Sequence, residues 1–237
     1  MGVAADPLST KPDACASRLT TAVTVTDHFR SLALEDKLIS QTDRRLLVRD
    51  LIVSNGGLCG ITCGINALHA IARYQRLHGY HFESYADEFL QDMAVRVFAY
   101  YHSDVRRGIR DFELGYAIRT EAESLKVPLS VEIFNPVTPD VLVTKGDQII
   151  IANINMGTTA SGAELYHAVV IVHADPVKGT VIYSDPNSPA ELRQTALYSM
   201  IDASGFPKTV IAVGTQNSTQ PAGTIASILR ITSRMAH

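Results

Sequence analysis

At 237 residues, with 46% hydrophobic and 19% charged residues, the chain has the make-up of an ordinary globular protein sized for one large domain. A formal net charge of −3 and a sequence pI near 6.2 leave no basic face for a polyanion, which argues against a nucleic-acid partner. No apolar run approaches the roughly 18 residues that span a bilayer, so no membrane partner is expected.

Residues 1–25 are rich in Ala, Ser, Thr, Asp and Pro without a sustained period and read as a flexible arm. They contain no charged stretch followed by an apolar one, so no secretory signal is visible. Gly2 does not open a myristoylation motif, because the sixth residue is Asp6 rather than Ser or Thr. The rest, 26–237, reads as one domain with a helical subdomain to about residue 127 and a sheet subdomain beyond it. "DHFRSLALEDKLISQTDRRLLVRDLIV" has a mixed helical pattern, and "SNGG" marks a turn. In the next stretch Ile61, Ile65, Leu68 and Ala72 recur at helical spacing, with Gly79 placed to stop the helix. "SYADEFLQDMAVRVFAYYHSD" and "IRDFELGYAIRTEAESLKV" predict two more helices.

The texture changes at Pro128. "LSVEIFN", "DQIIIANINM", "ELYHAVVIVHAD", "GTVIYSDPN" and "TVIAVGTQ" are short, rich in Val and Ile, and bounded by turn residues, which predicts antiparallel strands. "ADPVKGT" predicts a hairpin loop, and "SPAELRQTALYSMIDASG" a short helix. Helices first and strands second give an α+β fold class, with chemistry expected where the two layers meet.

Three cysteines, Cys15, Cys59 and Cys63, form neither an even set nor a metal-ligand pattern. No disulfide framework, metal site or cofactor is expected. A reducing compartment such as the cytoplasm fits, as does export by a dedicated machine. Cys59 stands at the start of the central helix, after a flexible "NGG" and before Gly60. Free N–H groups and the positive dipole end favour a thiolate at such a position, and the same N–H groups can serve an oxyanion. Gly60 would let a substrate carbonyl approach the backbone. Cys63, one turn on within the apolar stripe, reads as core filler and is the secondary nucleophile candidate.

A thiolate nucleophile needs a base and an orienting group. His167 opens the strand "YHAVVIV" behind a flexible segment, whereas His69, His78, His81 and His102 fall in the helical half. A hairpin turning at Pro176 predicts His167 and Asp185 side by side on adjacent strands. Period-two alternation also puts His173 on the face of His167, at the far end of the strand. Asn187 is the alternative orienting residue.

Together these residues resemble a known family. "LCGITCGINAL" is similar to the nucleophile helix of papain-like cysteine peptidases, nearest to the C39-like, leader-processing (double-glycine) peptidases. "YHAVVIV" resembles their histidine strand and "VIYSDPN" their aspartate strand, in the same chain order. The resemblance implies a papain-like fold with the nucleophile helix packed on an antiparallel sheet, and a Cys59–His167–Asp185 triad. It further implies a peptide or protein substrate cleaved through a thioester. The glutamine that these families carry several residues ahead of the cysteine is missing; Gln41 is the nearest upstream, and Asn55 is the oxyanion candidate. Phytochelatin synthases share the framework, so acyl transfer is an alternative to hydrolysis. A glutamine deamidase and a catalytically inert binding module of this fold are the others.

Overall fold

The alternation of apolar and polar residues beyond Pro128 produces seven antiparallel strands, and their pairing organises the molecule. The structure, a computed structural model, describes residues 23–42, 58–79, 109–158, 160–205, 207–211 and 223–235. The strands are β1 (Leu129–Phe134), β2 (Gln148–Thr158), β3 (Glu164–Asp175), β4 (Thr180–Ser184), β5 (Leu192–Ile201), β6 (Pro207–Ile211) and β7 (Gly223–Ser233). Strands β2 to β6 follow one another as a meander. β7 then pairs with β2 along most of its length and with β6 through Gly223 and Thr224, which closes the ring. β1 pairs with the second half of β7, outside the closed set.

The papain-like α+β fold expected from the sequence is therefore not what forms. Most of the structure is a closed six-stranded antiparallel barrel, accompanied among the described residues by three helices. Two segments account for the difference. The stretch expected as a short helix is β5, paired on both sides, with β4 and with β6; cross-strand pairing there outweighs the local helical pattern. The last stretch, "GTIASILRITS", carries no strand expectation in the sequence reading, yet it becomes the closing strand. Closure removes the free edges that an open sheet would leave.

Period two sorts the side chains. In β2, Ile150, Ala152 and Ile154 enter a buried cluster with Val169 and Ile171 of β3, Tyr183 of β4 and Ile228 of β7, which fills the barrel. The alternate residues, Ile149, Ile151, Ala168, Val170 and Leu229, face a second cluster shared with the helices. Each buried Val, Leu or Ile side chain among them contributes roughly 1.5–3 kcal/mol.

The helices are α1 (Val25–Leu34), α2 (Leu58–Leu77) and α3 (Asp111–Ser124). A capping box starts α1: Thr24 Oγ1 accepts from Asp27 N (3.1 Å), and Asp27 Oδ2 accepts from Thr24 N (3.0 Å). The expected arm thus ends before Thr24, and its residues 1–22 lie outside the described residues. Phe29 and Leu32 of α1 pack with Leu68 and Ile71 of α2. α2 stops just before Gly79, whose φ of +87° suits glycine. The helix expected over "SYADEFLQDMAVRVFAYYHSD" lies outside the described residues.

Gly223 sits at the closing point, where a Cβ would stand 2.3 Å from Ile154 Cγ2 and 3.0 Å from Met156 Sδ. We expect Gly223→Ala to cost about 1–3 kcal/mol in chemical denaturation; an unchanged midpoint would argue against tight closure there.

Candidate active site

Cys59 is the second residue of α2, so its backbone belongs to the turn whose N–H groups have no intrahelical partner. Its partly buried side chain packs against the core shared by the helices and the sheet. The structure gives Gly60 a packing role. A Cβ there would stand 2.8 Å from Ile109 Cγ2, and one at Gly64 would stand 3.2 Å from Leu114 Cδ1. The two glycines let α2 lie close against α3 and the residue that leads into it.

β3 brings the imidazole. His167 pairs across β2 with Ile154, just where the strand passes from exposed Leu165 and Tyr166 to buried Ala168. The thiol of Cys59 shares a hydrogen bond with the His167 ring, and the backbones of Ala168 and Gly60 bond the same sulfur. On the ring's other side, Nε2 donates to Asp185 Oδ1 at 3.2 Å, leaving Nδ1 available to the sulfur.

The carboxylate meets the ring diagonally rather than directly across. Near the site Val170 pairs with Ser184, and a bulge at Val172 separates this register from the one nearer the turn. Continued one step, that register sets Asp185 opposite Val169, with His167 one pleat beyond. The same bulge reverses the alternation, so His173 is exposed rather than sharing the face of His167.

Asp185 is 4% exposed, and both of its carboxylate oxygens accept hydrogen bonds. Oδ1 also accepts from Asn187 N (2.9 Å) and Asn187 Nδ2 (3.0 Å), and Oδ2 accepts from Arg193 Nη1 of β5 (3.2 Å). Asn187, the alternative orienting residue, thus bonds the carboxylate rather than the imidazole. Residues 38–42 form a strap over this turn. Asn66 of α2 pins it through paired 2.9 Å bonds with the Ile39 backbone, and Gln41 N donates to Pro186 O at 2.8 Å. Gln41 Nε2 also donates to Asn187 Oδ1. The nearest upstream glutamine, eighteen positions before the cysteine in sequence, is thus folded back beside the aspartate turn.

The charges follow from these contacts. Burial raises the thiol pKa of Cys59, but the hydrogen bond and charge of His167, with the two backbone bonds, outweigh it and hold the thiol below its ordinary value. Burial also opposes an imidazolium at His167, yet Asp185 and Cys59 raise its pKa to about 9. Asp185 is disfavoured as an anion by burial and favoured by His167 and Asn187, and it ends at about 2. An imidazolium beside a carboxylate is the favoured ionisation near neutral pH, and both act with the backbone bonds to shift the neighbouring thiol toward its thiolate. Cys63 is the opposite case: it is 1% exposed, its thiol donates to Ala168 O at 3.5 Å, and burial pushes its pKa well up.

Compared with protein-family models and with curated proteins, the chain matches none. The site therefore has to be read from its own geometry.

Asn55 and Cys15 lie outside the described residues. A cavity of about 660 Å³ opens at the barrel mouth between Asn135, Met156, Lys208 and Thr224, and none of the three aligned side chains lines it. Among the described residues, no group of three or more His, Cys, Asp or Glu side chains is placed to hold a metal ion, and no helix is long and apolar enough to cross a membrane. Sequence reasoning missed Arg193, which fell inside the segment expected as a helix, and Asn66, which fell inside an apolar stripe.

Iodoacetamide at about pH 6 should modify Cys59 at least roughly tenfold faster than a free thiol while Cys63 stays unmodified in the folded protein. Peptide mapping by mass spectrometry reads both rates, and equal slow labelling of the two would contradict the charge assignment.

Proposed function

We propose that the protein is a cysteine-dependent hydrolase of amide bonds in peptides or proteins. The observation that carries this reading is the continuous hydrogen-bonded line from the Cys59 thiol through the His167 imidazole to the buried Asp185 carboxylate. Any hydrophobic pocket will bury a cysteine, but few contacts pull a partly buried thiol pKa down against desolvation. A module that only binds would gain nothing from maintaining a buried carboxylate and an imidazolium beside a thiol against that cost.

In this reading the Cys59 thiolate attacks the scissile carbonyl carbon, forming a C–S bond and an oxyanion beside the free N–H groups that open α2. The intermediate collapses, the C–N bond breaks, and His167 gives its proton to the departing amine. The neutral imidazole then takes a proton from water as the oxygen attacks the thioester, the C–S bond breaks, and the thiolate returns. Asp185 keeps Nε2 protonated and the ring in place, which leaves Nδ1 to exchange the proton. Leu165 and Tyr166, which precede His167 in β3, are exposed apolar side chains available to a substrate.

The test is incubation with a mixed peptide library, followed by mass spectrometry of the products and of the acid-quenched protein. We expect released peptides and an acyl adduct on Cys59. Cys59→Ala and His167→Ala should each lose at least about a thousandfold in kcat/KM with the circular dichroism spectrum retained. Product formation undiminished in Cys59→Ala would overturn the reading. The wild-type kcat/KM should fall as pH rises through about 9, where the imidazolium is lost. It should fall on the acid side where the thiolate is protonated, below the ordinary thiol value.

A further inference from the structure

Asp185 is held by two cations from two different strands. His167 of β3 bonds Oδ1 at 3.2 Å, and Arg193 of β5 bonds Oδ2 at 3.2 Å. The carboxylate is nearly inaccessible, and the Arg193 side chain is 19% exposed, so water screens this pair only weakly. No step of the proposed reaction passes through Arg193. Its place on the far oxygen still bears on the imidazole, since one carboxylate divides its charge between both partners.

We propose that Arg193 is a positioning residue that fixes the Asp185 carboxylate toward β3 and restrains its pull on His167. The inference rests on the proposed hydrolase reading and deepens it. Without Arg193, the carboxylate would have the imidazolium as its one close cation and would hold the ring's proton more tightly. An imidazolium that keeps its proton is a poorer acid toward a departing amine. A neutral residue at position 193 would thus raise the His167 pKa and slow the acid step, whereas a lysine would retain the restraint and lose only the planar fork.

The surroundings leave few competitors for this effect. From α2, Cys59 and Cys63 face the cluster, the second as a neutral thiol. From β2, apolar Ile154 stands opposite His167, and the strap contributes the neutral Gln41. Beside Arg193 on the β4–β5 side is Glu191, whose carboxylate is 3.8 Å away and 66% exposed, too solvated to replace the arginine or neutralise it.

The test follows the His167 ring protons by NMR across a pH titration in the full-length protein, a readout independent of turnover. We expect the wild-type midpoint at about 9 to rise by about one pH unit in Arg193→Gln, and to stay within a few tenths of a unit of wild type in Arg193→Lys. Arg193→Met serves as a second neutral variant, with circular dichroism to verify folding. An unmoved or lowered midpoint in a folded neutral variant would overturn the inference while leaving the hydrolase reading intact. A wild-type midpoint at the ordinary histidine value would overturn both.

Discussion

Burying a carboxylate is expensive unless its oxygens are hydrogen-bonded and an opposite charge lies close, and Asp185 meets both conditions through three different parts of the chain. Asn187 closes a local turn on it, Arg193 reaches it from the next strand, and His167 reaches it from the preceding one. The strap at residues 38–42 covers the turn and is itself pinned to α2 by Asn66. The carboxylate therefore ties the barrel rim to the helix that carries Cys59. Truncating any member of this set leaves a buried charge or a buried polar group without its partner, which costs more than the contact itself contributes.

The barrel supplies the rigidity that this arrangement needs. Closure through Gly223 gives every strand from β2 to β6 two neighbours, so His167 stands on a strand braced by β2 and β4. The position of α2 is fixed differently. Its glycines at 60 and 64 admit Ile109 and Leu114, while Ala67, Leu68 and Ile71 share a core with the outward face of β2 and β3. α2 is thus held by two packings, one against α3 and one against the barrel, and the second sets the helix that carries the thiol against the strand that carries the imidazole.

Much of the site was legible in the sequence because its signals are local. A cysteine at a glycine-marked helix start, a histidine at a strand entrance and an Asp-Pro-Asn turn each carry their own physical reason. The hairpin loop at Pro176 was enough to pair two of them approximately. Its exact register was not legible, because the bulge at Val172 shifts the pairing and nothing in "HAVVIVHAD" marks it. The fold class failed for a related reason. Whether a sheet closes depends on long-range partners, and β7 lies 69 positions after β2's Ile154 where Gly223 meets it. Arg193 was hidden by the same error, since a residue read onto an isolated helix has no reason to reach Asp185.

The account stands or falls on whether His167 holds the Cys59 sulfur as an anion in the folded protein. The ultraviolet absorbance of the thiolate, taken as wild type minus Cys59→Ser across a pH titration, measures this without any substrate. We predict a step below the ordinary thiol value of about 8.5 that moves up to or above it in His167→Ala. A step at the same pH in both proteins would contradict the account.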